Sequence, residues 1–508
     1  MSLSSAFNII NSAFSANAAQ TAIISSNIAN TNTTGYSIKT ANLAANVSGG
    51  VDVTSVTRAT NVALQDQMLA ASSQSAEQSA LANGLSQLSA TVSDSASTSS
   101  TASTTTASGQ SPSALLASLE TALQTYASSP SDATVAQSVV SAAQQLTTSL
   151  NSATTTVQQI RSQADASMSQ SVATINSLLG QFQTANDSVV SGLQSGADVT
   201  TAEDTRDNVL SQLSRQVGLS TVTSPNGSVS IYTDSGVTLF QNTARTVAFT
   251  PTPILTPGAT GNAVTVDGVP ITGSSSPMAI QTGALAGLAT LRDTTAPQYQ
   301  AQLDQIANGL VSAFAETDQT APGTNPLPGL FTYSSYSGTL PIPTAVPFGL
   351  AGQIEINPTV DPSQGGNANL LRDGNISGGG ANYVYNTTSA AGFGARIQQM
   401  LSQITATQTF DPSAGAGSSL SVADYATASV SWVQGQYQHA TEQASYSSTL
   451  ATTASQALSN ATGVNQDAQL SQMLSLENSY QTSAKLLTTV NNMFGSLLTA
   501  VSAAVAAG

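Results

Sequence analysis

GVNQDAQLSQMLSLENSYQTSAKLLTTVNNMFGSLLTAV, residues 463–501, decides how the rest of the chain is read. Taken by sevens, one face presents Met473, Tyr480, Leu487, Phe494 and Val501. A second row, three residues further on, holds Leu476, Val490, Leu497 and Ala504, with Ser483 as its interruption. This three-four spacing is the seam of a helix that buries a narrow stripe against other helices. Most of the remaining surface is Ser, Thr, Gln and Asn, so the flanking salt bridges that would fix a soluble dimer are missing. Such a helix needs neighbours.

The opposite end of the chain supplies a matching stripe in Leu3, Phe7, Ile10, Phe14, Ile24 and Ile28, broken at Asn17 and Thr21. Periodicity alone fits two ordinary core helices of one domain equally well. The chain then reads SNIANTNTTGYSIKTANL. Asn27, Asn30 and Asn32 are poor helix formers and Gly35 supplies a positive-φ stop, which predicts a helix end and a turn into extended chain. As a string, Asn27-Ile28-Ala29-Asn30 followed by Thr34-Gly35-Tyr36-Ser37 resembles the N-terminal signature of flagellar rod, hook and hook-associated proteins. The C-terminal run Tyr480-Gln481-Thr482-Ser483-Ala484-Lys485, followed by Met493 and Leu497-Leu498, resembles the closing motif of the same superfamily.

The middle of the chain narrows the resemblance. EDTRDNVLSQLSRQVGL (203–219), then a β-rich piece, then GLATLRDTTAPQYQAQLDQIANGLVSAF (287–314) and finally Gly463, Asn465 and Asp467 are similar to the class of hook-associated proteins that joins hook to filament. The likeness covers roughly 1–60, 200–320 and 420–508. Ile38, Ala468, Gln469 and Glu316-Thr317-Asp318 depart from the family pattern.

Composition points the same way. The 508 residues are enough for several domains, but only 7% are charged, against ~25% in an ordinary soluble domain. That surface suits a subunit lying against copies of itself or its relatives. A net charge of −16 argues against nucleic acid, whose phosphates it would repel. There is no cysteine, no run of about 18 apolar residues to predict a membrane span, and no basic, continuously apolar leader at the start.

Between the two ends, helices are expected over 62–92 (Leu64, Met68, Leu81, Leu85, Leu88 and Val92) and over 111–130. A third runs from Ser131 to about Gly196, where one unbroken helix would approach ~95 Å unless Gly180 breaks it. The low-complexity tract 93–111 is too polar to pack and reads as a loop. Alternation with turn chemistry predicts a hairpin of 229–232 with 237–240. Helix returns at Pro297, and 321–418, rich in Pro, Gly and Asn, reads as an irregular outward-facing β and loop region. The sole histidine, His439, sits in a Gln- and Ala-rich helix, and no Ser lies in a nucleophile-elbow string. Glu203, Asp204 and Asp207 beside Arg206 read as a solvated helix start. Neither a catalytic nor a metal or cofactor site is expected.

The expected fold is mainly α with β insertions: an elongated multidomain protein with paired terminal helices in a coiled-coil core domain (1–58 plus 462–508). A long helical rod domain (59–217 plus 283–320 plus 420–461), a β-rich subdomain (218–282) and an outer irregular domain (321–419) complete it. The resemblance implies a structural, non-enzymatic flagellar subunit, extracellular at the hook–filament junction. Its implied partners are copies of itself in a ring, hook protein, the adjacent hook-associated protein on the filament side, an export chaperone and the flagellar type III export apparatus. Export would proceed unfolded and without a cleaved signal peptide. A hook or distal-rod protein of the same superfamily, or a secreted coiled-coil adhesin or enzyme, are the alternatives.

Overall fold

A computed structural model of the chain describes residues 3–47, 49–94, 109–273, 275–321, 324–336 and 346–506. Most of the low-complexity tract read as a loop lies outside the described residues.

Helix α1 (Leu3–Ala29) ends at the Asn-rich turn, and a two-stranded antiparallel hairpin follows, β1 (Lys39–Ala45) with β2 (Val51–Arg58), bulged at Asn42/Leu43. Helices α2 (Val62–Ala90), α3 (Pro112–Ser128), α4 (Ala133–Ser195) and α5 (Thr200–Gln216) build the body. Ser111 accepts from the Ala114 amide ahead of Pro112, and Asp132 accepts from the amides of Thr134 and Val135. All 63 residues of α4 form one helix, so Gly180 does not break it. It lies on the exposed side, where its cost of about 1 kcal/mol is outweighed by the packed face.

The expected hairpin is present as β4 (Val229–Thr233) and β5 (Thr238–Gln241), within a four-stranded sheet that adds β3 (Leu219–Thr223) and β6 (Thr243–Ala244). Three two-residue strands, β7 (Val247–Ala248), β8 (Thr265–Val266) and β9 (Val269–Pro270), form a second small sheet.

Helix returns earlier than Pro297 predicted. Helix α6 (Ala284–Thr290) runs through a π turn at Leu291–Thr295 into α7 (Ala296–Ala313). The Ala296 amide bonds to the Leu291 carbonyl, and Pro297 has no amide to offer the next one. The Arg292 carbonyl accepts from Arg161 Nε at 3.0 Å instead. A proline that reads as a helix start is accommodated one residue past a widened turn.

After α7 come β10 (Phe331–Tyr333) paired with β11 (Ile354–Ile356), the short α8 (Leu370–Asp373), α9 (Ala395–Thr405), and β12 (Gln408–Thr409) paired with β13 (Ser419–Leu420). Two long helices close the chain, α10 (Val422–Thr462) and α11 (Gln466–Ala506).

Apolar burial falls into two cores. One joins the second half of α4 with Leu69, α5 and the sheets, through Ile175, Phe182, Leu213, Ile231 and Phe240. The other joins the first half of α4 with α3, α7 and α10, and it also takes in Phe331, Ile354, Val360, Leu371, Ile376, Ile397 and Met400. The region 321–418 is therefore not an outward-facing loop region: it shares the core of the helical body. Its short apolar runs lack a period because each is buried by tertiary neighbours rather than along one element. Neither core includes α1, the β1–β2 hairpin or α11.

Candidate assembly site at the paired termini

α1 and α11 pack antiparallel, with Asn17 Nδ2 donating to Ser479 Oγ at 3.2 Å and Asn27 Nδ2 to Gln469 Oε1 at 2.9 Å. The hairpin covers another side of α1, where the Val51 amide donates to Ser12 Oγ. The seam deduced from the sequence faces this pair unevenly. Ile10, Ile24 and Val490 are buried, while Leu3, Phe14, Ile28, Met473, Leu476, Leu487 and Phe494 are half-buried. Phe14 meets Tyr480 edge-on at 5.0 Å, yet Tyr480 keeps over half its surface open. Phe7, Leu497 and Val501 are also exposed. Ser483, the interruption, is buried in the seam, and so is Asn17.

Asn27 is the hub of the signature. It is 1% exposed and uses both ends of its amide twice. Oδ1 accepts from the Tyr36 hydroxyl (2.9 Å) and the Lys39 amide (3.0 Å), while Nδ2 donates to the Lys39 carbonyl and to Gln469 (both 2.9 Å). Helix, turn, strand and C-terminal helix meet at one side chain. Asn30 braces the turn through the Ser26 carbonyl and the Thr33 hydroxyl, and Gly35 takes φ +80° with Asn208 close by, as its positive-φ role requires.

At the other junction Gly463 caps α10. A Cβ there would lie 2.4 Å from the Ser459 carbonyl oxygen, so only glycine fits. Asn465 Oδ1 accepts from the Ala468 amide at the start of α11, and Asp467 sits exposed in that first turn, where the helix dipole favours a carboxylate. Gln481 is exposed and reaches Glu477, and Ala484 is half-buried.

The acidic turn of α5 is ion-paired and largely covered rather than a freely solvated helix start, contrary to the reading from sequence. The hairpin register sets Lys39 opposite Arg58, and both cations reach it. Arg58 binds Glu203 (2.9 Å), Asp204 (3.2 Å) and Asp207 (2.6 Å), while Lys39 lies 3.4 Å from Asp204 and donates to Thr201. Burial disfavours the charge on Arg58, but the three carboxylates outweigh it and hold its pKa above the ordinary value. Burial also lifts Asp204 above the usual carboxylate range, against the pull of Lys39 and Arg58. Arg206 points away, donating to the Gly227 carbonyl. The acidic string gave no partner because the cations come from a strand pair far off in sequence.

Among the described residues, α11 carries a run of exposed apolar side chains. Leu486 and Met493 flank the seam on one side, Leu470, Leu498 and Val505 on the other, all exposed, and 495–506 is exposed throughout. One 18-residue window within 422–506 has mean hydropathy 1.2 and is 6% buried, so by length and composition it could cross a membrane, which the sequence reading did not anticipate. Its apolar residues keep the seam spacing and are interleaved with Ser, Thr and Asn, the pattern of helix packing rather than a lipid-facing surface. His439 is exposed on α10.

Three family models match the chain. Residues 7–36 match the flagella basal body rod protein model and 454–500 the flagellar basal body rod FlgEFG protein C-terminal model. Residues 98–329 match the flagellar hook-associated protein FlgK helical domain, and the three matches together support a hook-associated protein of the FlgK type. Flagellar hook-associated protein 1 of Salmonella typhimurium (strain LT2) is 30% identical over 328 residues, covering 60% of this chain and 56% of that protein. Its counterpart in Escherichia coli K12 is 29% identical over 325 residues, with the same coverage. The chain thus aligns with only 56% of the length of these curated relatives. The flagellar hook junction protein FlgK from Burkholderia pseudomallei is similar at a TM-score of 0.41 and 24% identity, over 53% of this chain and 46% of that one.

Proposed function

We propose that the protein is a structural, non-enzymatic subunit of the bacterial flagellum that joins hook to filament through axial packing of α1 and α11. The observation that carries this is the contrast in burial. The body closes two apolar cores, whereas the terminal pair leaves Leu474, Leu486, Met493, Leu497, Leu498 and Val505 more than half exposed along one helix. A patch of this extent, almost without charge, is a contact surface for more helices of the same kind.

The site residues then divide by role. The seam positions on α1 and α11 contact neighbouring subunits and each other, and the signature around Asn27, Asn30, Gly35, Tyr36, Gly463, Asn465, Asp467, Gln481 and Ala484 shapes the two junctions. Copies of the chain in a ring, hook protein below and the adjacent hook-associated protein above are the partners. An export chaperone and the type III export apparatus handle it beforehand, and the protein works outside the cell. The division into a terminal core domain and a helical body belongs to the same reading.

The test uses one exposed position flanking the seam and one exposed seam position of α11. Leu474→Asp and Leu497→Asp leave the monomer's helical signal and unfolding midpoint unchanged but abolish motility when supplied to a cell lacking its own copy. Normal filaments with either variant would refute axial packing by this face.

A further inference from the structure

We infer that the terminal pair is mounted on the body through an electrostatically held joint, with Arg58 and Lys39 as its positioning residues. This rests on the reading of α1, the hairpin and α11 as one unit. Two three-residue connectors, Ala59–Thr60–Asn61 and Gly463–Val464–Asn465, are the covalent links between that unit and the body. Neither apolar core extends into the junction, since neither contains a residue of the unit.

The region between the two parts is instead a cavity of 680 Å³, lined by the 31–37 turn and by largely polar faces of α2, α5 and α10. Across it run the Arg58 and Lys39 ion pairs to α5, the Ile38 amide donating to the Thr462 carbonyl at 2.8 Å, and the long 3.4 Å contact of Asn208 with the Thr34 carbonyl.

Arg58 grips through Nε and Nη1, to three carboxylates on one helical turn, which fixes direction as well as distance. Its strand partner Lys39 is tied by its own backbone to Asn27, so the clasp continues into α1 and, through Gln469, into α11. The angle between axis and body is therefore set by charge at a site that water and salt can enter. Releasing the clasp leaves the connectors, the Ile38–Thr462 backbone hydrogen bond and the long Asn208–Thr34 contact, and the unit swings.

The chain has no cysteine, so two introduced thiols report the angle cleanly. Spin labels on the full chain at Ser475→Cys of α11 and Thr174→Cys of α4, both exposed positions, give the distance distribution between axis and body. The expected result is one narrow distribution at low salt that broadens in 1 M NaCl, where screening acts over about 3 Å. The double variant Arg58→Gln, Lys39→Gln is expected to be broad at both salt concentrations, while amide exchange within α4 and within the α1–α11 pair stays as in the parent, and Arg58→Lys recovers part of the narrowing. Equal widths in parent and double variant, or a parent already broad at low salt, would overturn the joint. Neither result bears on whether α11 packs in the filament, which the motility assay reads separately.

Discussion

Glu316 offers a quantitative test of how firmly the 321–418 region is tied into the body. It follows α7, is fully buried, and accepts the Ile376 amide at 2.8 Å on Oε2 while Oε1 has no partner. Arg396, held 4.4 Å over the Tyr385 ring, attracts its charge, but burial dominates and pushes its pKa up to about 7 from 4.5. A carboxyl whose folded value is raised binds its proton more tightly in the native state. Its contribution to stability is thus complete below about pH 4.5, is lost as pH rises to about 7, and stays lost above. At about 1.4 kcal/mol per unit this amounts to roughly 3 kcal/mol. Asp304 adds a similar slope at lower pH: burial pushes it to about 6, against hydrogen bonds from Ala351, Gly349 and Gln300. Glu316→Gln removes the Glu316 part alone. Urea unfolding followed by the fluorescence of the single tryptophan, Trp432, which packs on this core, should show the parent losing about 3 kcal/mol more than the variant between pH 4.5 and 8. Parallel curves for the two proteins would refute the claim that Glu316 is held protonated by a closed core.

Asn27→Leu strands the Lys39 backbone groups and Gln469, each worth about 1–3 kcal/mol when buried unpaired, so amide exchange across 3–29 and 466–490 should quicken at least tenfold with the body unchanged. Deleting 358–380 removes Val360, Leu371 and Ile376 from the core. The product should lose its cooperative urea transition. Gly463→Ala forces a Cβ against the Ser459 carbonyl and should lower the unfolding midpoint or fray the end of α10, as read by exchange at 456–463.

The helices were legible because their apolar residues keep one period and their ends carry caps. Pro112 behind Ser111 and Asp132 ahead of α4 locate boundaries without tertiary help. The seam was legible for the same reason, and Gln469 belongs to it: it stands four residues before Met473, in register, yet its amide gave no sign of its Asn27 partner in another helix. What stayed hidden depends on pairs remote in sequence. Leu330-Phe331 and Ile354 look like fragments in a Pro-rich stretch until α4 and α7 cover them. The π turn hid behind Pro297, whose usual place is the first turn of a helix. One signal could have exposed the clasp. With only 10 Lys and Arg in the chain, any two brought to one end of a hairpin need a carboxylate partner, and EDTRD offers three.

That scarcity also bears on why the joint is built from charge. Four of the eight ion pairs among the described residues lie between the terminal unit and α5. An apolar joint would gain its strength from burial, and its geometry would be as fixed as the cores on either side. Partly solvated ion pairs are individually weak, about 0–1 kcal/mol, but they hold a direction. Under the proposed function the axis meets different neighbours above and below, and a preferred angle serves that better than a rigid one. In this chain the charge that the rest of the surface lacks is gathered where an angle, rather than a fold, is to be held.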